Sequence, residues 1–226
     1  MGQAYSYTLG THTYKFKNLA QLMAKATPQR SGDRLAGVIA QSAQERAVAQ
    51  MTLADIPLKT FLNEVLIPYE DDEITRLIID DHDANAFMAI AHLTVGDFRN
   101  WLLSDFASPA VLTSIRQGIT PEKAAAVSKI MRNQDLILIA KKCHVTSAFR
   151  NTIGLPGRLS TRLQPNHPTD DINGIAACML DGLLYGNGDA VIGINPATDN
   201  VAQAIKLMTL MDDVIQKYAI PTQSCV

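Results

Sequence analysis

Hydrophobic residues recur at helical spacing through most of the first 133 residues, after a short opening that alternates like a strand. The opening, residues 5–16, predicts β structure because successive strand side chains point to opposite faces. A longer helix is predicted over residues 31–51, where Leu35, Val38 and Ile39 stand at core-facing spacing. The beginning of the chain therefore predicts a short β segment followed by helices.

Residues that favour helix N-termini introduce five further segments in this region. They are Thr52, before a short turn that stops at Pro57; the acidic cluster 70–73, before a helix over 71–80 with Ile74, Leu77 and Ile78 on one face; Thr94, before Phe98, Trp101 and Leu102; Ser108-Pro109, before a helix that ends near Gly118; and Thr120-Pro121-Glu122. Helix follows helix, which predicts an all-helical region after the opening.

The pattern changes at residue 135. Short apolar runs at 135–140 (DLILIA), 158–163 (RLSTRL) and 190–194 (AVIGI) predict strands. Helical patterns over 170–185 and 201–218 separate the later runs and are long enough to return the chain to a parallel strand. Continuous apolar strands are typical of a sheet buried on both faces, so we expect a parallel sheet flanked by helices.

The fold class is therefore α/β, with a mainly helical region over 1–133 and a parallel β/α region over 134–226. The second region holds about three βα units, and 220–226 looks like the start of a fourth strand. Four strands cannot close a barrel of eight. We expect the first part of a longer (β/α)8 chain, with a small open sheet as the alternative.

Composition excludes several functional classes. The chain has 226 residues, of which 47% are hydrophobic and 19% charged, which predicts a folded globular protein. Its formal net charge is −2 and its longest basic run is Lys141-Lys142, so no nucleic-acid partner is expected. The first residues lack a secretory leader pattern, and no apolar run reaches roughly 18 residues, so we expect cytoplasmic residence and no membrane partner.

No metal site is predicted. Cys143, Cys178 and Cys225 are far apart, without a C-x-x-C pair, and are expected to be reduced and buried as small hydrophobic residues. The acidic clusters 70–73 and 80–83 offer oxygen ligands for a hard cation, but a solvated helix end explains the first equally well and the second lacks the spacing of an EF-hand. Asp80-x-His82-x-x-Asn85 approaches a D-x-H-x-x-G cobalamin-ligand pattern, but the glycine is missing and the segment lies outside the strands.

Two glycine-rich segments invite a phosphate-loop interpretation. Residues 186–189 follow a helix and precede a strand, which is the reverse of the order that a phosphate loop needs. A helix C-cap is the better interpretation of this segment. Residues 154–157 are similarly expected to form a turn before the second strand.

Polar residues close two of the predicted strands. Arg162, Gln164 and Asn166 follow one strand, and Asn195-Pro196 follows the next. The carboxyl ends of parallel strands meet at one edge, where ligand sites of this architecture are built. The alternative is structural, with Arg162 paired to an acid such as Asp170 and Asn195-Pro196 forming a turn. Spacing alone leaves both open.

Long collinear blocks of the chain resemble the amino-terminal half of the ethanolamine ammonia-lyase large, catalytic subunit family. These blocks are RSGDRLAGVIAQSAQERAVAQ (30–50), PYEDDEITRLIIDD (68–81), NTIGLPGRLSTRLQPN (151–166), GDAVIGINPATD (188–199) and IPTQSCV (220–226). The first twenty residues and the region 82–115 match more loosely.

The resemblance implies a radical lyase that uses adenosylcobalamin (coenzyme B12) to convert ethanolamine to acetaldehyde and ammonia. By matching positions, Arg162 and Asn195 bind the substrate hydroxyl, Gln164 helps to hold the amino group, and the Pro196 main chain contacts the cobalamin. No catalytic residue and no metal ligand are assigned to this chain. A guanidinium and two amides suit this role, because they orient an amino alcohol without acting as a competing acid or base.

The resemblance also implies a small subunit as partner, a large-subunit homo-oligomer and, as an alternative compartment, a bacterial microcompartment. The carboxylates that engage the substrate ammonium belong to positions beyond Val226 in the family. This chain alone is therefore expected neither to bind adenosylcobalamin tightly nor to turn over ethanolamine. The alternatives are a non-catalytic assembly module and an unrelated α/β enzyme for a phosphorylated metabolite, and the lack of a phosphate loop disfavours the latter.

Overall fold

A computed structural model of the chain describes residues 3–226. Met1 and Gly2, which belong to the opening judged for a leader pattern, lie outside the described residues. The chain divides into two compact units, one ending at Cys143 and the other spanning His144–Val226. None of the helices formed by residues 3–226 combines the length and apolar character that crossing a membrane requires.

The first unit opens with a β-hairpin, as the alternating pattern predicts. Strand β1 (Tyr5–Leu9) pairs antiparallel with β2 (His12–Phe16), and Leu9 lies opposite His12 at the turn. Gly10 occupies the turn with φ of 62°, a left-handed conformation that glycine adopts without steric cost. The predicted β opening is confirmed.

Helices form the rest of the first unit. In chain order they are α1 (Leu19–Ala26), α2 (Ser31–Leu35), α3 (Ala43–Ala54), α4 (Thr60–Asn63), α5 (Glu73–Asp80), α6 (Ala84–Met88), α7 (Val95–Leu103), α8 (Pro109–Ile115), α9 (Pro121–Lys129) and α10 (Asn133–Lys142). The predicted starts at Thr94 and Ser108 are confirmed, because each side chain accepts a hydrogen bond from a first-turn backbone N–H. α9 begins at Pro121, as predicted, although the Thr120 side chain makes no capping hydrogen bond.

One hydrophobic core holds this unit together. Its fully buried members include Leu22 of α1, Val48 and Leu53 of α3, and Phe98 of α7, with Phe16 from the hairpin. Burying a large aliphatic or aromatic side chain contributes about 1.5–3 kcal/mol, so these positions dominate the stability of the unit.

The prediction of one helix over 31–51 is wrong. α2 ends at Leu35, and Gly37 then takes φ of 69°, which breaks the helical path. α3 starts afresh after Ser42, whose side chain accepts from Glu45 N. Leu35 is 90% exposed rather than core-facing, and Thr52 lies inside α3 instead of capping a new turn.

The prediction of a strand over 135–140 is also wrong, because these residues form most of α10. Asp135 accepts from the backbone N–H of Arg132 at 3.1 Å, which is a helix-start bond, and Lys141 and Lys142 complement the carbonyl end. These local signals outweigh the apolar run. The first unit therefore extends past the predicted boundary at residue 133.

A three-stranded parallel sheet organises the second unit. After a short antiparallel pair, β3 (Ser147–Ala148) with β4 (Thr152–Ile153), the sheet has the order β5 (Arg162–Leu163), β6 (Val191–Gly193), β7 (Ser224–Cys225). Helices α11 (Ile172–Leu184) and α12 (Val201–Lys217) connect the strands. The parallel βαβα order, both helices and a strand within 220–226 are confirmed. That strand is the third of the parallel sheet and not the predicted fourth, because 135–140 is helical. Closure into a (β/α)8 barrel stays a prediction.

Both helices pack on the same face of the sheet. Ile192 and Ile194 of the β6 segment are buried with Met179 of α11 and with Leu207 and Met211 of α12. Arg162 on β5 is exposed, so the expectation of a sheet buried on both faces does not hold within the described residues. The sheet therefore has a helix-covered apolar face and an opposite face that carries polar groups.

The amino-terminal edge of the sheet is fixed by hydrogen bonds. The Asp189 carboxylate accepts from the backbone and hydroxyl of Thr161, both at 2.6 Å, and these bonds hold the pKa of Asp189 below its usual range. The buried Thr222 hydroxyl donates to the Gly188 carbonyl at 2.6 Å. The three strands are thus joined at the edge opposite the polar strand ends.

The glycine-rich segments have the structural roles predicted for them. After α11, the N–H of Gly186 donates to the Leu183 carbonyl and that of Asn187 to the Gly182 carbonyl, which is a Schellman C-cap with Gly186 at φ of 76°. Residues 155–158 form a turn, in which Gly157 has φ of 72° and Arg158 N donates to the Leu155 carbonyl.

Candidate functional site

The two polar clusters leave the sheet side by side. β5 and β6 are parallel neighbours, with Arg162 opposite Val191 and Leu163 opposite Ile192. Arg162 and Gln164 at the end of β5 and Asn195 after β6 are all exposed. Leu163 and Ile194, the residues just before Gln164 and Asn195, pack on the helix side of the sheet. A shared direction for Arg162, Gln164 and Asn195 would follow if strand alternation continued past the ends of β5 and β6, and it stays a prediction. How their side-chain amides meet a ligand stays a prediction.

The Arg162 guanidinium lies across the middle strand. Its Nη2 atom is 3.9 Å from the Cys225 Sγ atom on β7. Between them is Gly193 of β6, where an added Cβ atom would come within 2.6 Å of Arg162 Nη2 and 2.9 Å of Cys225 Sγ. Arg162 of β5, Gly193 of β6 and Cys225 of β7 thus lie together on the polar face of the sheet.

The Arg162 guanidinium forms no ion pair with an acid in the part of the chain that the structure describes. The ion pairs among residues 3–226 are Lys25–Glu45, Arg76–Glu73, Arg99–Asp135 and Arg132–Asp135, and none includes Arg162. The alternative in which Arg162 pairs with Asp170 is therefore wrong. An unpaired guanidinium offers planar N–H donors to an oxygen-bearing ligand.

Asn166 ties the two strand ends together. Its side-chain oxygen accepts from the backbone N–H of Asn195 at 3.0 Å, and its own N–H donates to the Gln164 carbonyl at 2.9 Å. Asn166 stood in the predicted polar cluster but was not singled out as a site residue. Its bond fixes the backbone from which Asn195 projects.

Asp170 is a structural residue of this edge, but its partners lie in the loop after β6 and not on Arg162. It is 4% exposed, and its carboxylate accepts from Ala197 N at 2.7 Å, Thr198 N at 3.1 Å and the Thr198 hydroxyl at 2.9 Å. The bond from Ala197 N is the main reason that the pKa of Asp170 lies below its usual range. The pair Asp170-Asp171 is the sequence signal that could have revealed this role. One acid is enough to cap α11 and Asp171 does so, which leaves Asp170 for another partner.

Pro196 lies between Asn195 and the loop that Asp170 holds. It is half-buried, and no N–H among residues 3–226 donates to its carbonyl. A main-chain contact with a bound molecule is therefore compatible with its surroundings. The cofactor contact at Pro196 stays a prediction.

The three thiols are free, and two differ from expectation. Cys143 and Cys178 are exposed, while Cys225 is partly buried. The prediction that all three are buried hydrophobic residues is wrong, because Cys143 follows the end of α10 and Cys178 lies on the outer side of α11. Within the described range 3–226, no group of His, Cys, Asp and Glu side chains has the arrangement of a metal site.

The acidic segments of the first unit have structural roles. Asp72 caps α5 by accepting from Thr75, and Asp83 caps α6 by accepting from Asn85 N and Ala86 N. The His82 ring nitrogen Nε2 lies 3.2 Å from the Gly118 carbonyl and 3.2 Å from Lys123 Nζ. Burial, and then the Lys123 charge, lower the pKa of His82. The near-match to a cobalamin-ligand pattern is thus part of a packing contact.

Comparisons with known proteins agree over almost the whole chain. The family model described as Ethanolamine ammonia lyase large subunit (EutB) matches residues 14–226. The ethanolamine ammonia-lyase large subunit of Escherichia coli (strain K12) is 45% identical over 219 residues, which cover 97% of this chain and 48% of that protein.

The corresponding Salmonella typhimurium protein is 44% identical over the same number of residues, 219, and the matched part is again 48% of its length. The chain spans about half the length of the curated relatives it matches. The polar strand ends described above lie inside the matched region. The chain belongs to the ethanolamine ammonia-lyase large subunit family.

Proposed function

We propose that this chain supplies the amino-terminal half of an ethanolamine ammonia-lyase large subunit, which deaminates ethanolamine to acetaldehyde and ammonia. Its second unit would contribute the first strands of a (β/α)8 barrel. The observation that carries the proposal is the exposed Arg162 guanidinium, unpaired among residues 3–226, beside the polar ends of two parallel strands. The family match over residues 14–226 supports the choice of substrate.

The substrate is a small amino alcohol with one oxygen and one nitrogen. In the proposal, Arg162 donates to the hydroxyl oxygen, Asn195 hydrogen-bonds the same hydroxyl, and Gln164 accepts from the amino group. The hydrogen-bond donors and acceptors of these three side chains match the hydroxyl and amino groups of the substrate. Guanidinium and amide groups do not act as bases at neutral pH, so these side chains orient the molecule without deprotonating it.

Adenosylcobalamin is the proposed cofactor. The residues present fit a partial contact, because the Pro196 carbonyl accepts no hydrogen bond within the described residues and Asp170 holds the adjacent loop in place. When bound, the cofactor supplies the carbon-centred radical that abstracts hydrogen from the substrate. The role of this chain would be to orient ethanolamine and to exclude water from the strand ends.

The proposed partners are the small subunit and further large subunits. Several large apolar side chains of the described residues are strongly exposed, including Leu159 at 95% and Leu184 at 87%. The family resemblance, rather than this exposure, supports the proposed partners, because single exposed apolar side chains are also normal on the surface of a monomer. Residence in the cytoplasm, with a bacterial microcompartment as the alternative, is proposed from the family resemblance.

The test is the kinetics of ethanolamine deamination in the assembled enzyme, with small subunit and adenosylcobalamin present. Arg162→Ala should lower kcat/KM by about 10-fold to 100-fold, the equivalent of one hydrogen bond from a charged donor. Asn195→Ala should also lower kcat/KM without unfolding the chain. Arg158→Ala is the matched control, because Arg158 is exposed in the turn before β5 and should leave the kinetics unchanged.

Wild-type kinetics in Arg162→Ala would refute the proposed role of this guanidinium. A second measurement concerns the 226-residue chain itself. Supplied with adenosylcobalamin and ethanolamine, it should release no ammonia, because the carboxylates expected to hold the substrate ammonium are not among its residues. Measurable release from the purified chain would contradict this expectation.

A further inference from the structure

We propose that Gly193 is a positioning residue for Arg162. The inference deepens the proposed function and rests on it for the role of Arg162, but the geometry is independent of any substrate. In the register of the sheet, Gly193 pairs with Cys225, while Arg162 pairs with Val191 two residues earlier on β6. The Arg162 side chain therefore reaches along and across β6 to the level of Gly193.

The space above Gly193 is filled by the guanidinium. An added Cβ atom would stand 2.6 Å from Arg162 Nη2, 3.1 Å from its Cζ atom and 2.9 Å from Cys225 Sγ. Real Cβ atoms essentially never approach heavy atoms closer than about 3.0 Å, so any side chain at this position displaces the guanidinium or the sulfur. Gly193 thus defines the position of Arg162.

Backbone conformation does not explain this glycine. Gly193 is absent from the positive-φ residues of the described chain and forms regular parallel strand pairing with both neighbours. Glycine in a strand interior usually weakens the strand, and it often marks a close approach of another group. Here the approaching group is the Arg162 side chain.

The Cys225 thiol lies next to Gly193 beside the guanidinium, and its reactivity can report the position of the guanidinium. Its sulfur is 3.9 Å from Arg162 Nη2, whereas Cys143 and Cys178 are exposed thiols elsewhere on the chain. A guanidinium so close to a thiol attracts an anionic reagent by a distance-dependent, salt-screened interaction. Reagent charge therefore measures whether the guanidinium is in place.

The experiment compares alkylation by iodoacetate, an anion, with alkylation by neutral iodoacetamide on the 226-residue chain. In both reactions the thiolate sulfur forms a bond to the reagent methylene carbon, iodide leaves, and the thiol proton passes to buffer. Peptide mass spectrometry follows both rates at each cysteine. Dividing the iodoacetate rate by the iodoacetamide rate cancels the intrinsic reactivity of the thiol and leaves the effect of reagent charge.

In the wild-type chain, the iodoacetate-to-iodoacetamide rate ratio at Cys225 should exceed that at Cys178 by about fivefold at low ionic strength. Cys143 is not used as the reference, because it follows Lys141 and Lys142 in the sequence. Added salt should abolish the difference. Arg162→Ala should remove it at all salt concentrations. Gly193→Ala should do the same with the guanidinium still present in the sequence, because the new methyl group displaces it.

Gly182→Ala is the matched control. A Cβ atom there would come within 2.3 Å of the Leu163 side chain, so it strains the same sheet from the helix-covered face. It should leave the Cys225 ratio at its wild-type value. A wild-type ratio in Gly193→Ala, or an equal loss in Gly182→Ala, would overturn the positioning role.

A folding defect in Gly193→Ala is covered by a second measurement. If the guanidinium is the clashing group, Gly193→Ala should lower the urea midpoint less in an Arg162→Ala background than in the wild-type chain. Equal shifts in both backgrounds would contradict the inference. An altered Cys225 ratio with unchanged ethanolamine kinetics in the assembled enzyme would keep the positioning role and refute the proposed function instead.

Discussion

Lys123 is buried, and among residues 3–226 no carboxylate forms an ion pair with it, which makes a sharp prediction about stability and pH. The residue is 0% exposed in α9, and its ammonium lies 3.2 Å from both His82 Nε2 and the Gly118 carbonyl and 4.1 Å from the centroid of the Phe87 ring. Burial lowers the pKa of Lys123 from 10.5 to about 8, although the nearby Glu122 opposes the shift.

The sign of the effect follows from proton linkage. Below about pH 8 the lysine is charged in both states, and burying the charge costs about 3 kcal/mol for a shift from 10.5 to about 8. Between these values the folded chain loses its proton while the unfolded chain keeps it, so stability rises with pH. The gain from about pH 7 to about pH 9.5 should be about 2 kcal/mol.

Lys123→Met keeps the length of the side chain and removes the charge. This variant should be more stable than wild type near pH 7, and the difference should shrink as the pH rises toward 9.5. Urea unfolding followed by Trp101 fluorescence measures this unit, because Trp101 is the only tryptophan and packs against its core. Lys141→Met, an exposed change on α10, should leave stability unchanged at both pH values.

A wild-type chain whose unfolding free energy is flat from about pH 7 to about pH 9.5 would refute this reasoning. So would a Lys123→Met variant that is destabilised by the same amount at both ends of the range. The measurement stays below the pH at which unfolded tyrosines ionise, near about 10. A titrating tyrosine therefore does not obscure the lysine.

Three further changes test other contacts. Asp135→Asn should lower the urea midpoint near neutral pH, because hydrogen bonds led by Arg132 hold the pKa of this carboxylate well below its usual range. The loss relative to wild type should be full above about pH 4 and should shrink progressively as the pH falls from there toward the lowered pKa. Gly118→Ala should cost about 1–3 kcal/mol in the first unit, measured by urea unfolding, because its Cβ atom would stand 2.4 Å from Phe87 N. Asp170→Asn should speed hydrogen exchange of the amides at 197 and 198, because a carboxylate that accepts from both is replaced by a weaker acceptor. Unchanged exchange there would contradict the proposed control of this loop.

Local signals predicted the elements that they alone control. The capping residues Thr94 and Ser108, the helix start at Pro121 and the Gly186 cap each act through hydrogen bonds or a backbone angle within a few residues. At 135–140 a helix-start signal and a strand-like apolar run predicted different structures, and the apolar run was the poorer predictor. The run at 135–140 became helix because the cap at its start was stronger than its strand-like composition.

Burial could not be predicted with the same success. Leu35 was expected in the core and is exposed, whereas Lys123 was not expected there and is fully buried. A side chain is buried only when another segment covers it, and helical spacing does not reveal which segment does so. The cysteines were misjudged for the same reason.

The sequence by itself determined the parallel βαβα order from β5 onward, several helix starts, and the polar residues that close β5 and β6. Tertiary structure alone decided that Arg162 crosses Gly193 to reach Cys225, a residue 63 positions away, and that Asp170 serves the loop after β6 instead of Arg162. The physical reason is the distance along the chain over which each interaction acts. Caps and periodicity act between neighbours in the chain, while a contact across a sheet depends on the register that packing selects.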